Sequence, residues 1–276
     1  MDLASNVLVF PMKSFLVGTA HHTIVVDTCV GDHKKRVRPN WNMTSGGEFL
    51  KRFAETGVRP EQVDYVMCTH MHTDHVGWNT RWDNGRWVPT FPNAKYIMSE
   101  KELAYWTKLH KETPQNQIED SVLPIVEQGR AQLVKNDFAI GDEVRFESTA
   151  GHTPDHMSVH ISSRGAEAVI TGDLTHSPVQ CLETEWVPRP DYDPPQAAAL
   201  IAGRIVFHAA DVAGHLDDRP QNVDMEIRID SLHHAGHPLQ AHARVDVLAW
   251  QRAEVVWRIA DAIELCEHQV PDFDFL

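Results

Sequence analysis

The feature that most constrains this chain is the stretch CTHMHTDHVGW at residues 68–78, which places three histidines and an aspartate within six consecutive positions. It continues YVMCT (residues 65–69), a short run rich in apolar, β-branched and aromatic residues, and such a run predicts a strand. The histidines are therefore expected at the end of a strand, where a chain leaves a sheet.

Their spacing indicates a metal centre. Alternate side chains of an extended chain face the same way, so His70, His72 and Asp74 are expected to converge, and His75 is brought round as the chain turns. Imidazole and carboxylate groups together are the ligands of zinc and similar divalent ions. Because one catalytic ion needs only three protein ligands and an open position, four candidate ligands suggest two adjacent ions.

Two later segments repeat this arrangement. AGHTPDH (150–156) follows the predicted strand VRFEST, and TGDLTH (171–176) follows the predicted strand AVIT. Each places a potential ligand, His152 or Asp173, beside a glycine directly after a strand. Either residue alone would be ordinary in a loop, but their recurrence in the same structural position predicts that both bind metal.

Composition excludes several other classes of protein. The 276 residues carry a formal charge of −14, and no cluster of Lys and Arg suited to phosphate binding is present, so no nucleic-acid partner is expected. The four cysteines are widely scattered and form no Cys-x-x-Cys pair, which fits reduced thiols. No signal peptide and no apolar run long enough to span a membrane are recognisable, so a cytoplasmic protein without a membrane partner is expected.

Strand and helix patterns alternate along the chain and predict an α/β (α+β) fold of sheets covered by helices. One helix is expected to start with a capping box formed by Ser45 and Glu48, and Gly57 is expected to end it. Ser99 and Glu102 repeat the capping-box signature before a second helix. Strands are expected at Val7–Phe10, Thr23–Val26, Val144–Ser148, Met157–Ile161 and Ala168–Thr171.

The chain changes character near Pro220, which divides it into a domain of residues 1–219 and an extension of residues 220–276. The extension holds a histidine cluster (His233, His234, His237 and His242) and a helical apolar stripe from Val245 to Leu265. This stripe is expected to pack on the domain or on a partner subunit, which leaves a homodimer open.

THMHTDHVGW, AGHTPDH and TGDLTH, in this order and spacing, resemble the metallo-β-lactamase superfamily of binuclear hydrolases, from about Leu8 to Ala199. The stretch from Val63 to Ser99 is most similar to the branch that contains N-acyl homoserine lactonases and methyl-parathion-hydrolase-like enzymes. The resemblance implies a four-layer αβ/βα sandwich, here with a divergent helical C-terminal segment.

The resemblance also implies a ligand set. One metal would be held by His70, His72 and His152, the second by Asp74 and His75, and Asp173 would bridge the two. The family expects one more histidine on the second metal, and its usual C-terminal ending is not recognisable here. His215 lies at a distance from Asp173 along the chain that is close to the family's spacing, so it is the first candidate for this ligand. His208 is the second candidate, and the third possibility is that this ligand has been lost.

The expected function is that of a metal-dependent hydrolase. A hydroxide bridging two divalent ions, most often zinc but with iron, manganese or cobalt also suited, would open lactones or cleave carboxylic esters, with phosphotriesters as side substrates. Asp173 would bridge the ions, and Asp74 would relay a proton to the leaving group. The rivals are a thioesterase of the glyoxalase II kind and an impaired metal-binding relative with a broken second site.

Two further groups of residues are candidates around this centre. Those expected to orient the imidazoles are Thr69, Thr153, Asp155 and His176. The aromatic residues expected to line an apolar cleft for substrate are Trp41, Phe49, Trp78, Trp82, Trp87 and Trp106.

Overall fold

The computed structural model describes residues 12–163, 166–176, 180 and 184–203, together with the short strand pair Asp224–Met225 and Val245–Asp246. The predicted strand Val7–Phe10, both candidate last ligands (His208 and His215) and, apart from that strand pair, the extension lie outside these residues. The boundary between residues 219 and 220 therefore stays a prediction.

The helices and strands follow one another as the alternating patterns predict. In chain order they are β1 (Phe15–Gly18), β2 (Thr23–Val26), α1 (Glu48–Glu55), β3 (Tyr65–Met67), α2 (Thr73–Val76), β4 (Thr80–Asp83), β5 (Arg86–Pro89), β6 (Lys95–Ser99), α3 (Glu100–Glu112), a π-helical turn (Ile118–Val122), α4 (Leu123–Glu127), β7 (Ala131–Val134), β8 (Ala139–Ile140), β9 (Val144–Ser148), β10 (Met157–Ser163) and β11 (Ala166–Ile170). Residues 194–203 are also helical.

Two sheets organise these elements. The first has the strand order β1-β2-β3-β6-β7, in which β1 is antiparallel to β2 and the other neighbours are parallel. The second has the order β11-β10-β9-β8 and is antiparallel throughout. Parallel neighbours end at the same edge, so the loops that leave β2, β3 and β6 lie together, which is where open parallel sheets bind their ligands.

The first sheet is buried on both faces. Leu16, Val25 and Val66 point to one side, where α1, α3 and α4 cover them, whereas Val17 and Ile24 point to the other side. That second side packs on the inner face of the antiparallel sheet. The apolar runs of β2 and β3 follow from this position, because a parallel strand covered on both faces needs apolar side chains at every position.

The two predicted helix starts have different outcomes. Ser99 caps α3 as predicted, since its hydroxyl oxygen accepts hydrogen bonds from the backbone N–H groups of Lys101 and Glu102. The capping box at Ser45 is wrong, because α1 begins only at Glu48. Gly47 is the N-cap, with a left-handed φ of 63°, and its backbone N–H donates to the Asp32 carboxylate at 2.6 Å.

The long connection between β2 and α1 is anchored by buried charges, which we call the ion network: Lys34, Arg36 and Asp120. The Arg36 guanidinium donates from both terminal nitrogens to the Asp120 carboxylate, at 2.7 and 3.1 Å. The Lys34 Nζ donates to Thr80 Oγ1 at 2.6 Å and lies over the ring of Trp87. Burial lowers the pKa of Lys34 to about 7 despite the neighbouring Asp120.

No helix within the described part of the chain is long and apolar enough to cross a membrane.

Candidate metal centre

The histidine-rich stretch leaves the carboxyl end of β3 and soon changes conformation. β3 ends at Met67, the backbone is extended again at His72, and Asp74 and His75 lie on the short helix α2. Strand alternation therefore accounts at most for His70 and His72, and the expectation that Asp74 joins them through an extended chain is wrong. The helical turn instead brings Asp74 and His75 to the same side of the site.

Gly77 allows this turn to pack closely on the loop after β2. A Cβ atom at this position would lie 1.9 Å from the backbone carbon of Val30, so no other residue fits. The Gly77 backbone N–H donates to the Cys29 carbonyl at 2.7 Å, and the Thr28 N–H donates to the His75 carbonyl at 2.8 Å. The ligand-bearing turn is thus fixed to the neighbouring strand end by its backbone.

One group of side chains, the first cluster, consists of His70, His72, His152 and Asp173. The Nδ1 atom of His72 lies 3.1 Å from Nε2 of His70 and 2.8 Å from Nε2 of His152. Oδ2 of Asp173 lies 3.3 Å from the same His152 nitrogen. Three ring nitrogens and a carboxylate oxygen therefore face one point.

A second group, the second cluster, consists of Asp74, His75 and again Asp173. Nε2 of His75 lies 3.1 Å from Oδ1 of Asp173 and 3.8 Å from Oδ2 of Asp74. Asp173 thus turns one carboxylate oxygen toward each cluster. The structure brings together six of the seven predicted ligands, and the seventh, His215, lies outside the described residues.

The position of Asp173 depends on a close contact that the sequence does not reveal. Its backbone N–H donates to Nε2 of His156 at 3.0 Å, and the Nδ1 atom of His156 lies 2.8 Å from the Thr149 hydroxyl. A Cβ on Gly172, whose φ is +55°, would lie 2.7 Å from that Nε2 atom. Only glycine lets Asp173 reach the site, which explains the glycine of TGDLTH.

The electrostatics of the first cluster favour neutral imidazoles at His70 and His72. At His152 burial is outweighed by Asp173 and Asp191, which raise its pKa to about 9. Burial lowers the pKa of His70 and His72 well below the ordinary value, and repulsion by neighbouring imidazolium groups lowers it further. Neutral imidazole is the form that binds a metal, because each ring then offers a lone pair. Ring nitrogens held this close to one another and to a carboxylate oxygen form a donor set that fits a divalent ion.

In the second cluster the neighbouring carboxylates dominate the electrostatics. Burial lowers the pKa of His75, but Asp173, Asp27 and Asp74 outweigh it and raise that pKa well above the ordinary value. Burial opposes ionisation of Asp173, yet His75, His176 and His152 keep the pKa of its carboxyl well below the usual range. The carboxylates of Asp173, Asp27 and Asp74 therefore attract positive charge to the second cluster.

Three imidazoles are oriented through their second nitrogen. Nδ1 of His70 lies 3.0 Å from the Thr69 hydroxyl, and Nδ1 of His75 lies 2.8 Å from Oδ2 of Asp27. Nδ1 of His152 lies 2.6 Å from Oδ1 of Asp191. Such contacts fix the ring and leave Nε2 directed at the cluster.

Sequence reasoning missed Asp27, Asp191 and His156. Asp27 directly follows the buried strand β2, a position like that of the predicted ligands, so a signal existed. It also accepts hydrogen bonds from the backbone N–H and the hydroxyl of Thr69. Asp191 lies in a proline-rich segment far from the motifs, and no local pattern connects it to His152.

The predicted orienting residues are only partly found at the imidazoles. Thr69 contacts His70, as expected. His176 packs its ring against that of His152, with the ring centroids 4.9 Å apart, and its Nε2 atom lies 3.1 Å from Oδ2 of Asp173. Asp155 contacts no imidazole within the described residues and accepts hydrogen bonds from Ser99 and Lys101.

The aromatic residues expected to line a cleft have different surroundings. Trp106 packs against the His72 ring. Phe49 and Trp78 are buried and stack on each other in the core, so they are not cleft residues. Trp82 and Trp87 pack together on the β4–β5 hairpin, and Arg38 lies over Trp41.

Comparison with known proteins identifies the family. The model of the metallo-β-lactamase superfamily matches residues 9–202, which include all six ligand candidates of the two clusters. The chain therefore belongs to this superfamily, and its mixed α/β fold of two sheets and covering helices is the fold of that family, as the resemblance implies. Among its relatives are metal-dependent hydrolases with lactonase activity.

An N-acyl homoserine lactonase, AiiA of Bacillus thuringiensis subsp. kurstaki, is 25% identical over 208 residues, which cover 71% of this chain and 76% of that protein. Among solved structures, the hydrolase AbOPH of the β-lactamase superfamily is 29% identical with a TM-score of 0.56, and the match covers 73% of this chain and 68% of that one. AidC, a dizinc quorum-quenching lactonase in complex with a product, has 22% identity and a TM-score of 0.56, with 71% and 67% coverage.

Proposed function

We propose that this chain is a two-metal hydrolase that opens lactones or cleaves carboxylic esters and accepts phosphotriesters as side substrates. The observation that carries the proposal is the position of Asp173, which turns Oδ2 toward the first cluster and Oδ1 toward the second. A carboxylate shared in this way suits a pair of adjacent cations rather than a single one.

The described residues divide naturally between two ions. His70, His72 and His152 would hold one ion, Asp74 and His75 would hold the other, and Asp173 would contact both. Divalent ions bound there would supply Lewis acidity to a carbonyl or phosphoryl oxygen and lower the pKa of bound water. Nitrogen-rich coordination of this kind favours zinc, although iron, manganese and cobalt accept the same donors.

Other side chains of the site orient the ligands and move protons. Asp27, Asp191 and Thr69 orient imidazole rings, and His156 holds the backbone of Asp173. Asp74 is the proposed proton carrier, because its side chain is 22% exposed at the edge of the second cluster and so can reach a leaving group.

The proposed substrate class rests on the relatives. Their names state that AiiA is an N-acyl homoserine lactonase and that AidC is a lactonase with two zinc ions, solved with the product N-hexanoyl-L-homoserine. A lactone and an ester present the same carbonyl and the same departing alkoxide to a hydrolase. The buried thiol of Cys68, which forms no disulfide, agrees with the proposed cytoplasmic location.

The test combines metal content with turnover. Elemental analysis of the purified protein is expected to give about two divalent ions per chain. An N-acyl homoserine lactone and an aryl ester are expected to be hydrolysed, whereas a glutathione thioester is not. Chelation should abolish turnover, and added zinc should restore it.

The same measurement on His215→Ala and His208→Ala tests the predicted last ligand, since loss of one ion in either variant identifies it. Preferential hydrolysis of the thioester would support the glyoxalase II alternative. One ion or fewer without turnover on any substrate would show that the chain is an impaired relative and would refute the proposal.

A further inference from the structure

His72 is held differently from the other three histidines of the metal centre. His70, His75 and His152 each direct Nε2 to a cluster and place Nδ1 against an oxygen of another side chain. His72 instead directs Nδ1 to the first cluster. Within the described residues no hydrogen bond to its Nε2 atom is present, and its ring packs against an indole ring.

The packing partner is Trp106 on α3. Its indole ring meets the His72 imidazole nearly at right angles, with the ring centroids 5.3 Å apart and an interplanar angle of 77°. Trp106 is itself fixed, because its Nε1–H donates to Oε2 of Glu102 at 2.8 Å, one helical turn earlier. An edge-to-face contact with a fixed ring allows the imidazole little rotation.

Glu102 is a buried carboxylate, only 1% exposed, that connects two ligand-bearing loops. Oε1 accepts the backbone N–H of Asp155 at 2.9 Å, three residues after His152. Burial raises the pKa of Glu102, and the Thr153 hydroxyl and the Met71 backbone N–H are among the groups that counteract this rise. Met71 precedes His72, so Glu102 faces the loops of both His72 and His152.

The first turn of α3 strengthens this connection. The Ser99 hydroxyl donates to Oδ2 of Asp155 at 2.5 Å, and the Lys101 ammonium donates to Oδ1 at 3.0 Å. Asp155 is thus tied to the start of the helix by side chains, as well as by its backbone contact with Glu102. A displacement of α3 would move the His152 loop and the Trp106 ring together.

We propose that Trp106 and Glu102 are positioning residues that orient His72 and couple it to the His152 loop. This inference rests on the proposed function, because it assumes that the first cluster binds an ion. Outer contacts that orient a metal ligand usually contribute 10- to 100-fold to metal affinity, about the range expected here. For His72 that contact is an aromatic ring rather than a hydrogen-bond acceptor.

The test measures metal binding without substrate. Zinc dissociation constants come from competition with a chromophoric chelator, and the visible absorption of the cobalt-substituted protein reports ligand geometry. Trp106→Leu, which removes the ring, should weaken binding of the first-cluster ion by about 10- to 100-fold. Trp106→Phe keeps a ring but loses the hydrogen bond to Glu102, so it should lower the zinc affinity less than Trp106→Leu does. The loss of affinity in Glu102→Gln should lie between those of the two Trp106 variants.

Asp120→Asn is the matched control, because it also changes a buried carboxylate but lies in the ion network. It should lower the melting temperature while leaving zinc affinity and the cobalt spectrum as in the wild type. If Trp106→Leu behaved like this control, the two residues would be structural only and the inference would be overturned. If Trp106→Leu did not fold, unchanged cobalt spectra in both Trp106→Phe and Glu102→Gln would overturn it equally.

Failure of the proposed function looks different. A wild-type chain that bound no zinc would remove both the two-metal proposal and this inference. A wild-type chain with two bound ions, combined with unaffected variants, would remove only the inference.

Discussion

The candidate metal centre, which is partly buried, and the ion network, which is buried, are both built around an aspartate, Asp173 in the first and Asp120 in the second. Around Asp120 the chain supplies its own positive charge, from Lys34 and Arg36. Around Asp173 it supplies imidazoles and further carboxylates, and the positive charge available is that of protonated histidines.

This difference separates a structural site from a binding site. A buried carboxylate is stable only when it is paired, and the ion network completes its pairing within the fold. The metal centre concentrates donor atoms whose pairing is best completed by an external cation. Burial and charge alone therefore do not identify a functional site. The sign of the charge on the groups around the buried carboxylate distinguishes the two regions.

The largest expected effect comes from Asp173→Asn. The amide keeps the size of the side chain but removes the charge that both clusters share, so about one ion per chain or fewer should remain. Turnover of the best lactone or ester should fall by about a thousandfold or more, since loss of one transition-state hydrogen bond alone costs on the order of 10²–10³-fold. Metal analysis and kcat/KM check both effects, and wild-type turnover in the variant would contradict the shared-carboxylate arrangement.

The next largest effect concerns stability. Asp120→Ala leaves Lys34 and Arg36 buried without their carboxylate, which should lower the free energy of unfolding by about 3–5 kcal/mol. Urea denaturation of the metal-loaded protein measures this loss. Metal content should stay unchanged, and a loss of ions without a loss of stability would reverse the roles assigned to the two regions.

The sequence predicted the donor atoms well and their surroundings poorly. His70, His72, Asp74 and His75 lie within one motif, so a short local pattern was enough to nominate them. His152 and Asp173 were nominated by their positions directly after strands. These six side chains do converge, although their role as ligands stays a proposal until metal is measured.

What escaped prediction depends on contacts between distant segments. Asp191 meets His152 only because the proline-rich segment folds back on the site, and Lys34 meets Asp120 across 86 residues. The capping box at Ser45 failed because Gly47 turns the chain before the helix and the Asp32 carboxylate accepts the Gly47 N–H. The spacing of residues along a sequence reveals neither the contacts between distant segments nor the backbone conformation at Gly47.

A pair of variants sharpens the division of the metal centre into two clusters. Asp191→Asn weakens the contact that orients His152, so the ion of the first cluster should bind about 10- to 100-fold more weakly. Asp27→Asn does the same to His75 and should affect the second cluster more than the first, which Asp27 reaches only through Thr69. Zinc titrations that resolve two affinities check this, and equal weakening of both ions by both variants would show that the clusters act as one unit.

The smallest effect tests the ion network through pH. The pKa of Lys34 is lowered by burial from 10.5 to about 7, so above pH 7 the folded chain releases a proton that the unfolded chain keeps. The contribution of Lys34 to the free energy of unfolding therefore rises as the pH rises from about 7 to 10.5, because the unfolded state binds more protons in this range. Relative to Lys34→Met, the wild type should gain about 1.5 kcal/mol between about pH 7 and 8.5. Urea denaturation of both proteins at the two pH values measures this difference. If the difference in unfolding free energy between the two proteins did not change with pH, Lys34 would stay charged throughout. In that case the attraction of Asp120 outweighs the cost of burial, and both cations of the ion network are paired with its carboxylate.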